Sequence, residues 1–170
     1  MTGIQHSLAA LFHRDLSRLM QQIDAFPEDD LLWRKLPGVS NPAGNLVLHL
    51  EGNLREYVGR QLGKIPYSRQ RALEFSSSGS SNGMGVEELS GRVSELRRIV
   101  PPTILALSQE ELEVEFPEIV LDRPTSTGEF LIHLHGHLNW HLGQIDYLRR
   151  VLTGAGAIKA AGLLDAYRIE

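Results

Sequence analysis

The sequence predicts an all-α protein, a four-helix bundle with long connections and a short C-terminal helix. Four segments place apolar residues at steps of three and four, the period of a helix with one buried face. Strand-like alternation is confined to Leu112-Glu113-Val114-Glu115-Phe116, a short extended piece too isolated to make a sheet. The length of 170 residues can bury a core without covalent staples, and there are no cysteines to provide any. One domain over residues 1–170 is the natural count.

The first helix is expected over residues 4–25, with Ile4, Leu8, Leu11, Phe12, Leu16, Leu19 and Ile23 at helical spacing and Pro27 as the stop. A loop containing Trp33 follows. The second helix opens at Asn41-Pro42, a capping residue followed by proline at the first helical position. It carries Leu46, Leu50, Asn53, Leu54 and Tyr57 inward and ends near Gly63. Residues 76–85, rich in serine and glycine, form a flexible connector, long enough that the third helix need not pack tightly antiparallel to the second. The third helix covers residues 86–107 through Val86, Leu89, Val93, Leu96, Val100 and Leu107, and Pro101-Pro102 should kink or restart it. Ser126-Thr127-Gly128-Glu129 is a capping-box pattern that opens the fourth, which runs to Thr153-Gly154. A short fifth helix is expected over residues 157–166.

A composition of 42% hydrophobic and 22% charged residues is that of a soluble globular chain. No apolar run approaches the roughly 18 residues of a membrane span, and Met1 to His6 lack the basic and apolar regions of a secretory leader. A cytoplasmic protein without a membrane partner is therefore expected. The net charge of −4 lacks the basic footprint of nucleic-acid binding. The run Arg55, Arg60, Lys64, Arg69 and Arg71, whose only acids are Glu56 and, just beyond, Glu74, reads as a complement to a helix dipole, with anion binding as the alternative. Glu110, Glu111, Glu113, Glu115 and Glu118 read as a solvated face. The lack of cysteine excludes disulfides, thiolate metal ligands and a cysteine nucleophile.

The chemistry concentrates in the fourth helix. Its stripe Phe130, Leu134, His137, His141, Ile145, Leu148, Leu152 steps by 4, 3, 4, 4, 3, 4, which places two imidazoles at core positions. Burying both rings is costly unless each finds a partner, and at this spacing they lie within about 40° on the helical wheel, so both can reach one ion. A metal site is the leading reading; histidines that satisfy one another in a purely structural bundle are the alternative. His133 could line the pocket rim, whereas His135 points away from the seam toward solvent, and His6 and His13 read as surface residues. A third ligand must come from another helix, and His49 is the candidate, although it falls at the edge of its helix's apolar stripe. Asn53, Glu56 and Gln144 flank these positions as second partners or substrate contacts.

Three neutral nitrogens around zinc or nickel would leave coordination positions open, as catalytic sites do, although imidazole also suits copper and iron. Such an ion acidifies a bound water or thiol. The HExxH arrangement of metalloproteases is absent, since Leu138 follows His137. A di-iron carboxylate site needs paired Glu-x-x-His motifs, which are absent. A hemerythrin-like reading could use His137, His141 and Asp146 but lacks its further ligands.

Two stretches resemble a known family. They are Gly44-Asn45-Leu46-Val47-Leu48-His49-Leu50-Glu51-Gly52-Asn53, and Glu129-Phe130-Leu131-Ile132-His133-Leu134 leading into His137-x3-His141-Leu142-Gly143-Gln144-Ile145. Together with the helix order, the long middle connection and the chain length, they resemble the DinB-like superfamily of four-helix proteins, which includes the YfiT-like metal-dependent hydrolases. The resemblance implies that one histidine of the second helix and two of the fourth hold a divalent metal; the matching residues are His49, His137 and His141. It further implies a metal-dependent thiol S-transferase that uses a low-molecular-weight thiol on a small electrophilic substrate. A metal-dependent hydrolase and a non-catalytic, stress-related metal- or ligand-binding bundle stay open as alternatives. Pairing as a homodimer is also implied.

Overall fold

Four long helices form the bundle in the computed structural model, which describes residues 3–76 and 84–158. They are α1 (Ile4–Asp24), α3 (Ala43–Leu54), α5 (Val86–Leu105) and α7 (Thr127–Thr153), and three short helices lie between them: α2 (Asp29–Trp33), α4 (Arg71–Ser76) and α6 (Gln109–Glu113). α1 packs chiefly on α5 and α7, and α3 packs on the same two, so α1 and α3 stand at opposite corners. Leu8, Phe12, Leu16, Leu19 and Ile23 of α1 join Leu89, Val93, Leu96 and Val100 of α5 and Leu131, Leu134, Leu138 and Ile145 of α7 in one buried apolar cluster. Each such side chain stabilises the fold by about 1.5–3 kcal/mol.

The expected long helices are all present, with informative differences. α3 begins at Ala43, one residue later than the proline signal suggested, because Pro42 is extended (φ −66°, ψ 166°) and stands at the cap. All of α3 from Ala43 to Leu54 is buried, since α2, α4, α5 and α7 cover it on every side. The helix then continues through Arg55–Leu62 with the wider turns of a π-helix and closes at Gly63, whose N–H donates to the Val58 carbonyl at 2.9 Å.

Pro101 and Pro102 do not restart α5. It runs on without a break to Leu105, with Val100, Pro101 and Ile104 buried against the bundle. The start of α5 is fixed from a distance, as the Val86 N–H donates to Asp29 Oδ1 at 2.8 Å and Trp33 Nε1–H donates to the Met84 carbonyl at 2.9 Å. The Trp33 loop therefore contains a helix, α2.

Half of the expected capping box opens α7. Ser126 Oγ accepts the Glu129 N–H, but the Glu129 carboxylate pairs with Arg123 instead of reaching back. Gly154 ends α7 in the left-handed conformation (φ 69°), where a side chain would be strained. The extended piece expected over residues 112–116 is realised only from Val114. Its first part is α6, which carries a complete capping box between Ser108 and Glu111.

Beyond α6 the chain makes a small hairpin with isolated bridges Glu115–Ser126 and Val120–Arg123. Its tip holds Leu121 (φ 56°) and Asp122 (φ 57°) in the left-handed region, as a type I′ turn requires. The fifth helix expected over 157–166 and most of the 76–85 connector lie outside the described residues. Among the described residues no helix is long and apolar enough to cross a membrane.

Candidate metal centre

The α3–α7 edge of the bundle brings three histidines together. His49 Nε2 lies 3.2 Å from His137 Nε2, which in turn lies 3.2 Å from His141 Nε2. All three ligand atoms fall within 4.8 Å of one another. Nitrogens bound at 2.0–2.1 Å to one tetrahedral zinc stand about 3.3 Å apart, so the spacing fits a single small cation.

Proton bookkeeping supports the fit. His49 Nδ1 faces Glu74 Oε2 at 3.0 Å and His141 Nδ1 faces Gln144 Oε1 at 2.7 Å. Arg69 Nη2 also approaches His49 Nδ1, at 3.3 Å, but the Glu74 contact is shorter and the guanidinium already donates to that carboxylate. A proton on both Nδ1 atoms then leaves the Nε2 lone pairs of His49 and His141 directed at His137. One imidazole N–H can satisfy only one of them; a cation satisfies all three. Burial lowers the pKa of His49 and of His137, the latter to about 4, with neighbouring imidazoles adding to the His137 shift. Near neutral pH these two rings are therefore uncharged donors.

The burial pattern reverses the one expected from periodicity. His49, placed by its stripe at an edge, is buried, because α4 folds over its open side. His137 and His141 are only half-buried, while Leu131, Leu134, Leu138 and Ile145 take the centre of the seam. His133 is exposed at the rim, with its ring parallel to those of Phe130 and His137 at 6.0 and 6.5 Å. Gln144 holds His141, and buried Asn53 lines the cleft beside His49.

Glu56 is not at the site; it pairs with Arg60, which also reaches Glu118. Nor is His135 exposed. Its Nε2 lies 2.9 Å from the buried Asp15 carboxylate and its ring packs edge-on against Phe12, tying α7 to α1. His13 is half-buried beside Arg97. The basic run is largely neutralised in place: Arg55 pairs with Glu51 and Glu95, and Arg69 pairs with Glu74.

A family model described as the DinB superfamily matches residues 11–145. The chain belongs to the DinB superfamily. Comparison with curated proteins gives no significant match.

In this DinB-superfamily chain the partner that sequence reasoning missed is Glu74. It reaches His49 from α4, where it is the one buried side chain, and Arg69 holds it by two hydrogen bonds of 2.6 and 2.9 Å. Burial would raise its pKa, but the bonds from Arg69 and His49 outweigh that and keep it ionised. A carboxylate behind a ligating imidazole fixes the tautomer and strengthens the donor nitrogen.

Gly52 makes room for the Glu74 carboxylate: a Cβ there would overlap Oε1 and stand 3.0 Å from Cδ. A glycine inside a buried helix, one turn past His49, was the only sequence signal. Beside His49 and His137 opens a cleft of about 350 Å³, walled by Asn53, Tyr57, Phe130 and the hairpin tip. The three nitrogens can hold a divalent ion, and two of the three histidines line the cleft.

Proposed function

We propose that the protein is a metal-dependent enzyme that joins a small thiol to an electrophilic substrate, with His49, His137 and His141 holding a divalent ion, zinc or nickel. The supporting observation is that three Nε2 atoms converge beside a cleft, and among the described residues no fourth histidine, aspartate or glutamate joins their cluster. When bound, such an ion supplies Lewis acidity and makes a thiol ionise at neutral pH.

The chain's own residues do the positioning. Glu74 and Gln144 hold two imidazoles in the donor tautomer, and burial keeps His49 and His137 uncharged. Phe130, Ile119 and Leu121 give the cleft apolar surface on which a substrate body can rest. The overall reaction forms a bond from sulfur to an electrophilic carbon and releases the leaving group and the thiol proton.

The test is bound metal per chain, measured by mass spectrometry on tag-free protein beside His137→Ala, followed by thiol consumption with a panel of electrophiles. Near-stoichiometric metal that disappears in the variant, with thiol consumed only by the loaded protein, is expected. No metal in either protein after reconstitution with zinc or nickel would overturn the reading. Metal without thiol consumption would overturn the transferase, and hydrolysis in the same panel would favour the hydrolase.

A further inference from the structure

We propose that the cleft beside the three histidines takes a small organic anion with an apolar body, its charged group on Arg71 and its body against Ile119 and Leu121. This names the substrate class of the proposed reaction centre and rests on that reading.

Charge is the first observation. The chain carries a net charge of −4, yet the cleft walls hold Arg69 and Arg71 and no aspartate or glutamate. The Arg69 guanidinium is committed to Glu74, with its flank toward the Tyr57 ring. Arg71 is exposed on α4 and makes no ion pair among the described residues. A ligand anion entering here meets a cation with no neighbouring carboxylate on the walls to compete for it, in a concave site that focuses the field.

The shape of the mouth is the second. Ile119 and Leu121 are 77% and 42% exposed, and both line the cleft. The type I′ turn at the hairpin tip holds Leu121 at φ 56° and fixes where its side chain stands. The hairpin therefore presents apolar side chains to the cleft mouth instead of folding them into the core. The facing wall is aromatic, with the Tyr57 and Phe130 rings edge-to-face at 5.1 Å. A volume of about 350 Å³ suits a small ligand, since such pockets run from about 300 to 1,000 Å³.

A third observation concerns polarity at the base. Asn53 Oδ1 is buried beside the cleft and makes no hydrogen bond among the described residues. It is an unmet polar group beside the cleft, which a water or ligand can satisfy only once the side chain turns outward.

Calorimetric titrations of decanoate, decyltrimethylammonium and hexanoate into the zinc-reconstituted 170-residue chain test this, repeated after chelation. Decanoate should bind about tenfold more tightly than the cation of equal chain length. Arg71→Gln should lose about tenfold for decanoate, and Arg71→Lys should recover most of it. Ile119→Ser, at an exposed position that leaves the core untouched, should weaken decanoate more than hexanoate.

Absent decanoate binding, equal binding of the cation, or unchanged affinity in Arg71→Gln would each overturn the proposal. So would decanoate binding that vanishes on chelation while ignoring Arg71, because the ion would then be the anion site. Metal content is measured on the same samples. A chain that binds no metal but keeps its Arg71-dependent anion preference would sink the enzyme reading and leave the anion site standing.

Discussion

Glu74 Oε2 lies 3.0 Å from His49 Nδ1, though the two residues are 25 positions apart, and the carboxylate occupies the space that a side chain at position 52 would take. Removing a carboxylate behind a ligating histidine typically costs about 10–100-fold in metal affinity. Glu74→Ala should lower zinc affinity by that factor, measured by competition with a chromophoric chelator. Glu74→Gln keeps an acceptor for the Nδ1 proton and should fall between. Affinities equal to the parent's would remove Glu74 from the site.

Gly52→Ala probes the same contact without deleting a charge or a ligand. Alanine inside a helix is worth about 0.5–1 kcal/mol over glycine, which partly offsets the cost of displacing the Glu74 carboxylate. The melting temperature should therefore barely move, while metal affinity drops toward that of Glu74→Ala. A variant that binds zinc like the parent would show that the carboxylate does not act through its position.

The metal-free chain should lose stability as pH falls from 6.5 toward 4. His137 titrates at about 4 in the folded chain, mainly through burial and then through the neighbouring imidazoles, against 6.5 when free. Between those values the unfolded chain binds the extra proton, so stability rises with pH across the window and is fully present above 6.5. His137→Leu should flatten this slope in thermal melts of chelated protein. An unchanged slope would locate the titration elsewhere.

Asp15, fully buried between α1 and α7, accepts hydrogen bonds from Arg14 at 2.6 and 2.7 Å, Arg18 at 2.9 Å and Asn139 at 3.0 Å, and meets His135 at 2.9 Å. Burial would raise its pKa, but the bonds from His135, Arg14 and Asn139 hold it well below the usual carboxylate range. Its contribution is present above the ordinary carboxylate pKa and is lost as pH falls through the folded value. Asp15→Ala should cost about 3 kcal/mol in denaturant unfolding, the low end for a broken buried pair because both arginines keep some contact with water. A loss near zero would make the network ornamental.

The long helices were legible because their signals are local. Ile4 to Ile23 repeats at three and four, Ser126 caps its own helix, and Gly154 ends it. The pairing of His137 with His141 is local too, one helical turn apart. His49 was harder to place, since its burial comes from α4, a helix of six residues whose docking no periodicity encodes. Glu74 read as the tail of a basic run because its partners are chosen by the fold. His135 looked solvent-facing for the same reason: Asp15, which holds it, lies 120 residues earlier. The π-helical turns from Arg55 to Leu62 left no mark in composition or spacing.

α4 buries only Glu74, and its ties to α3 include Asn45 donating to the Glu74 carbonyl at 2.8 Å, the carboxylate on His49, and the Phe75 ring beside it. A segment with so little apolar anchorage opens locally at far lower free energy than the bundle unfolds. One such opening uncovers His49 and withdraws its carboxylate at the same moment. An ion held here would thus exchange with solution on the timescale of a six-residue latch, while the four helices that carry its ligands stay folded.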